Sequence, residues 1–314
     1  MKFSAPLLAL CALCACLPQS EGRSAPAEAP EAALLTGSQD TRNRLIASYS
    51  AVPDPFHWFS FYSLPRTTAA ARADGWADAD EAPVVSQNRT VSYWCRPRDY
   101  TLCVVFDAMG AVAGLQVSVA VHDFEDSFGS ARYPIDMESL WRRRTVLGTE
   151  VFSATAMFVP MAVLGEGGRQ GFGDADDTLL DTLYLENGNA FWAMPGNARD
   201  AADVGYTKQG CVQGMGRHYF YNMGPSMACE EHRPFFLLFD DVTGDLHGFG
   251  VTLYGKASRA WTNRWWLEAP GRGLVSKMAP GAPQCFLDWT EQKGLVTLHV
   301  YFRPRPWEAK CSEY

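Results

Sequence analysis

From Cys95 to Pro160 the chain is echoed, in order, by Cys229 to Pro304, and this internal likeness restricts the fold more than any other feature of the 314 residues. Cys95 leads into the apolar run ending at Asp107, then Gly110, Gly114, Val117 and Val119. Cys229 leads into Phe235 to Asp240, then Gly244, Gly248, Val251 and Leu253. Over the second stretch the offset is constant, since 244 − 110 and 253 − 119 are both 134. Further on, Glu150 to Pro160 matches Gly294 to Pro304. A period of about 140 residues is too long for a solenoid or propeller repeat and fits a duplicated domain.

Both copies read as hairpins, because Asp107 to Gly110 and Asp240 to Gly244 place turn residues between apolar runs. In the first copy Val112, Gly114, Gln116, Ser118 and Ala120 take one strand face and Val117, Val119 and Val121 the other. Phe56 to Tyr62 holds five aromatics in seven positions, a density suited to a buried core strand. The best helix candidate is Thr67 to Asp80, Ala-rich and free of Pro, with Gly75 where a helix could stop. The fold expected is therefore mostly β: two related β-sandwich-like halves from an internal duplication, with a short N-terminal helix. The first repeat spans 45–164 and the second 205–314, joined by a Gly/Asp-rich connection at 165–204.

Met1 and Lys2, the apolar run Ala5 to Leu17 and the polar exit at Gln19 have the form of a secretory signal over residues 1–20. A bacterial lipoprotein signal around Leu13 to Cys16 is the other reading. The Ala/Pro/Glu-rich stretch 21–44 has too few apolar groups to offset its ordering entropy and reads as a disordered lead or propeptide. Removing the signal leaves six of nine cysteines, Cys95, Cys103, Cys211, Cys229, Cys285 and Cys311, an even number suited to disulfides. Local pairing, 95–103, 211–229 and 285–311, agrees best with the repeat. A zinc cluster fails because no Cys-x-x-Cys pair exists. Asn88 begins the sole glycosylation sequon. The formal charge of −8 becomes −9 without Lys2, and the longest basic run is Arg142 to Arg144. That balance argues against nucleic acid or an anionic membrane as the main partner, and the signal is too short to be a membrane span.

Templates for hydrolases, zinc proteases and phosphate loops are absent. The densest constellation runs from Cys211 to Cys229 and includes Met215 and His218, with His232 just beyond and His299 on a later strand; imidazole with thioether is a set suited to copper. The plainer reading is that these rings sit in packed positions bonded to backbone. Asp107, Asp240 and Asp241 form a second candidate, as carboxylates for acid–base work, or simply as turn residues. Asp174, Asp176, Asp177 and Asp181 could hold calcium, though not at EF-hand spacing; a solvated acidic loop is the simpler account. Trp261, Trp265 and Trp266 could form a stacking platform for a ligand, or pack in the core. Arg142 to Arg144 could be a processing site, an anion patch or a solvated face.

The pattern Cys211-x3-Met215-Gly216-x-His218-Tyr219, followed by Cys229, the run Pro234 to Phe239 and Gly244-x-Leu246-x-Gly248-Phe249-Gly250, resembles a group of secreted animal proteins without an assigned activity. The likeness covers roughly Trp76 to Cys311 and implies secretion, not chemistry. The two-sandwich plan is also similar to that of extracellular copper monooxygenases, but in architecture alone, since their adjacent-histidine motif is missing. The function expected is a non-catalytic extracellular binding or structural protein, its unknown ligand or protein partner held in a groove between the halves. The alternatives are a copper-like oxidative enzyme centred on His218 and a self-associating matrix or coat component.

Overall fold

The structure is a computed structural model that describes residues 42–48, 61–79, 91–128, 141–173, 177–257 and 266–312. The signal segment, most of the lead, Phe56 to Ser60, Asn88, Asp174 to Asp176, Trp261 and Trp265 lie outside these residues.

The Asp40–Tyr314 unit is built on two antiparallel sheets. The first contains β3 (Ala77–Asp78), β4 (Val91–Arg96), β5 (Asp99–Asp107), β6 (Val112–Ala120), β7 (Arg142–Val146), β8 (Thr149–Met157), β9 (Tyr184–Asn187) and β10 (Ala190–Ala193), in the order β10-β9-β8-β6-β5-β4-β3 with β7 also on β8. The second contains β1 (Ile46–Ser48), β2 (Phe61–Ser63), β11 (Tyr206–Val212), β12 (Gly216–Tyr221), β13 (Phe235–Phe239), β14 (Leu246–Tyr254) and β15 (Leu295–Tyr301), in the order β11-β12-β13-β14-β15-β1-β2. The mostly β, sandwich-like class expected from the sequence is what forms.

Strands β8-β6-β5-β4 and β15-β14-β13-β12 run in the same relative order. Their hairpins agree in detail. Each shifts register at the end of its first strand, after Val105 and after Leu238. Each turn closes on an aspartate carbonyl that accepts from the Gly110 or Gly244 amide at 2.9 Å, with φ of +79° and +77° at the two glycines. Positive φ of this kind favours glycine, which explains why both turns keep one.

The boundaries expected from the sequence shift. β1 and β2, from the start of the first repeat, join the second sheet through Ile46 and Ala47 opposite Tyr301 and Val300. β9 and β10, from the supposed connection, extend the first sheet instead. One buried apolar cluster runs through both sheets, with Phe158, just after β8, meeting Phe249 of β14 and Phe302 beyond β15. Burying aromatic side chains of this size is worth roughly 1.5–3 kcal/mol each, so the shared core is a main stabilising element. The expected helix over 67–80 is shorter: α1 covers Thr68–Ala73, capped by the Thr67 side chain, and Ala77–Asp78 is strand; short helices α2 (Val121–Phe128) and α3 (Met161–Gly165) follow β6 and β8.

β6, β14 and β15 are buried at every position, so both of their faces are covered. On β14 and β15, Phe249, Val251 and Val300 share one face; His299 and Gly250 share the other, which we term outer. The outer side of the second sheet carries α4 (Arg272–Met278) on β11 and α5 (Gln284–Gln292) on β15. A Cβ on Gly210 would stand 1.8 Å from the Lys277 carbonyl oxygen, so only glycine lets α4 approach β11 this closely.

Disulfides join Cys95 to Cys103, Cys211 to Cys311 and Cys229 to Cys285. The expected 211–229 and 285–311 pairs are thus corrected. The tail lies beside the β11–β12 turn, where the Gly214 amide donates to the Ala309 carbonyl at 2.9 Å, while α5 brings Cys285 to Cys229. Three bridges fit an oxidising, extracellular setting. No helix among the described residues is long and apolar enough to cross a membrane.

Candidate functional site

Each outer face carries a buried polar cluster at corresponding places. In the second sheet, β12 presents His218 and β15 presents His299, their Nε2 atoms 3.5 Å apart and the residues 0% and 1% exposed. They straddle Gly250, where a Cβ would lie 1.9 Å from the Phe236 ring; glycine is required for that ring to lie beside both imidazoles. Glu268, bridged through backbone to Thr297, places Oε2 3.0 Å from His299 Nδ1. Its carboxylate also accepts from Ser48 Oγ at 2.7 Å and from Thr297 Oγ1 at 3.4 Å.

A proton on Nδ1 of His299, the nitrogen 3.0 Å from Glu268 Oε2, would leave the Nε2 lone pair aimed at His218. Burial, then His299, push His218 down to about 3, against hydrogen bonding with the backbone of Gly210 and Gly216. Burial raises Glu268, but His299 and the Ser48 and Thr297 hydroxyls outweigh it and hold the carboxyl below its usual value. The two facing ring nitrogens and the carboxylate behind them can pass a proton, or accept a cation between the rings.

In the first sheet Arg144 of β7 is the hub. Its guanidinium donates to Glu186 at 2.6 Å, Ser153 at 2.7 Å, Thr155 at 3.1 Å and Gln116 at 3.3 Å. Glu186 Oε2 also accepts from the Thr155 amide at 3.1 Å. Gln116 stands opposite Thr155 as Gly250 stands opposite His299, and Arg142 opposite Ser153 as Glu268 opposite Thr297. This pair is closed chemically, with both side chains under a tenth exposed and charge matched to charge.

Where the β9–β10 edge meets β12 and the start of β13, a shallow open cleft is lined by Leu185, Glu186, Trp192, Tyr206, Tyr221 and Arg233, among others. The Arg233 guanidinium lies 3.9 Å from the Tyr221 ring centroid and 5.3 Å from that of Trp192. No carboxylate of the described residues pairs with Arg233, and the oxygens of Glu186 are taken by Arg144 and Thr155. Trp192 is 42% exposed.

Of the four metal candidates, the structure brings together only His218 and His299. His232 lies between Tyr254 and Phe286, and the Met215 carbonyl faces His247 Nε2 at 3.1 Å. Asp107 accepts from the amides of Met109, Ala111 and Arg169, and Asp240 from those of Val242 and Thr243 and from Arg303 at 2.6 Å. Both are turn-closing carboxylates engaged by an arginine, not a pair. Asp241 is gripped by both arms of Arg217. Trp266 is no platform: it is 1% exposed, and its Nε1–H donates to Asp99 at 3.0 Å. Asp177 closes its own loop by accepting from the Gly173 amide at 2.7 Å. No group of three or more potential metal ligands occurs among the described residues.

Sequence reasoning missed Glu268, Arg144, Glu186, Trp192 and Arg233. Alternation through Arg142 to Arg144 was the available signal for Arg144, since a strand puts the first and third residues on one face. No local pattern distinguishes Glu268 or Arg233. No family model matches this sequence, no curated protein matches it, and no solved structure matches it.

Proposed function

We propose that this is a secreted extracellular binding protein of two halves derived from one duplicated unit, with its ligand in the pocket between the sheet edges. The matching strand order, register shifts and glycine turns support the common origin. The observation that carries the binding reading is Arg233: a cation stacked on Tyr221 beside a half-exposed Trp192, without a protein carboxylate among the described residues. A charge held against aromatic faces in a concave site favours a small organic anion with a flat apolar body.

Tryptophan fluorescence tests this, with a panel of aromatic carboxylates and sulfates and their neutral analogues titrated into the purified chain. Saturable quenching by anions is expected, reduced about 10–100-fold in Arg233→Gln, the loss of a charge-assisted hydrogen bond, and largely silent in Trp192→Phe. Equal binding of the neutral analogues, or no binding across the panel, sinks the reading.

A further inference from the structure

We propose that His218 and His299 bind one monovalent copper ion, Cu(I), between their facing Nε2 atoms, with Glu268 orienting His299 from behind. The site lies on the outer face of the second sheet, involves none of the pocket residues and stands apart from the anion-binding reading.

With the proton of each ring on Nδ1, that of His299 facing the Glu268 carboxylate at 3.0 Å, the two Nε2 lone pairs face each other across 3.5 Å. At metal–nitrogen distances of about 2.0–2.1 Å, two nitrogens so spaced subtend about 113–122° at an ion between them. A retreat of about half an ångström by the rings would make the unit nearly linear. A carboxylate behind a ligating histidine is the usual device for holding the tautomer and raising ligand basicity.

Two features select the ion. No third His, Cys, Asp or Glu completes a cluster among the described residues, whereas zinc takes four ligands. A closed-shell ion content with two imidazoles is Cu(I), and imidazole suits copper. Charge agrees: one positive charge and the Glu268 carboxylate sum to zero in a dry site beside Phe220, Phe236 and Tyr301, while a divalent ion would leave a net charge to be buried. Glu268, with 17% of its side chain exposed, marks the edge of the cluster closest to solvent.

The full chain, titrated anaerobically with Cu(I) against a chromophoric Cu(I) chelator, should take one equivalent. His218→Gln and His299→Gln should each weaken uptake at least about 100-fold and Glu268→Gln about 10-fold, as loss of a ligand or of its orienting carboxylate does. X-ray absorption of the loaded, unsubstituted protein should give a shell of two nitrogens with imidazole scattering, a measurement independent of how the variants fold. The proposal is overturned if the chelator keeps all the copper, if sulfur enters the shell, if both histidine variants bind like the parent, or if Zn(II) is held as tightly.

Discussion

On the outer face of the first sheet Arg144 and Glu186 are locked to each other and to three side chains; at the corresponding place on the second sheet stand two imidazoles and a single carboxylate. The strand order is the same and the chemistry is opposite. A guanidinium stays charged at all relevant pH, so a buried arginine demands a permanent partner, and the first cluster is committed to structure. Imidazoles can be buried neutral, so the second cluster needs no permanent counter-charge. Two antiparallel sheets with the same strand order can thus carry buried polar clusters of different kinds, and the side chains present decide whether charge is matched permanently.

The largest effect expected is from breaking the closed cluster. Arg144→Met should cost about 4 kcal/mol in denaturant unfolding, because it strands the Glu186 carboxylate without its partner, while Arg144→Met with Glu186→Leu should recover most of that. A double variant as unstable as the single one would mean that the cluster is more than a matched pair.

The covalent ties sharpen the same contrast. In the first half Cys95–Cys103 spans 8 residues; in the second, Cys211–Cys311 spans 100. Chain-entropy scaling makes opening the longer loop costlier by about 2 kcal/mol. Thermal unfolding of Cys211→Ser/Cys311→Ser against Cys95→Ser/Cys103→Ser measures the difference, and equal losses would show that strain or residual structure outweighs loop entropy.

Acid should act on the second half first. Burial holds His232 at about 3 and, with Arg303, His247 at about 4. An unfolded chain takes up those protons near pH 6.5, so below that value it binds more protons than the native state and stability falls as pH drops. Between pH 7 and 5.5 His232 alone should contribute roughly 1 kcal/mol of loss. His232→Phe should flatten that slope, and hydrogen exchange at pH 5 should loosen β12 to β15 before β4 to β8. Uniform loosening would break the comparison. Smallest of all, Trp192→Ser should shift unfolding by less than about 0.5 kcal/mol, since its half-exposed ring does little for folding.

Much of the β character was legible because it is written in local alternation and turn residues. Gly110 and Gly244 mark their hairpins, and Asp107 and Asp240 are the turn residues that their positions suggested. Of the candidate site, His218 and His299 were visible as residue types only, 81 positions apart, while His232 looked equally suitable and packs against Tyr254 and Phe286 instead. Bridge partners were misread for Cys211 and Cys229 because proximity in sequence is a poor guide where α5 is inserted between β14 and β15 and the tail returns to β11.

Period-2 patterning, paired glycine turns and an even cysteine count are properties of short segments, so the chain alone determined strands, hairpins and an oxidised, mostly β protein. The partner of each cysteine, the swap of β1 and β2 onto the distant sheet, the meeting of His218 with His299 over Gly250, and the approach of Arg233 to Trp192 were decided only in three dimensions. Each depends on which strands lie side by side, and long-range pairing is set by the burial of a shared core rather than by any neighbouring residue.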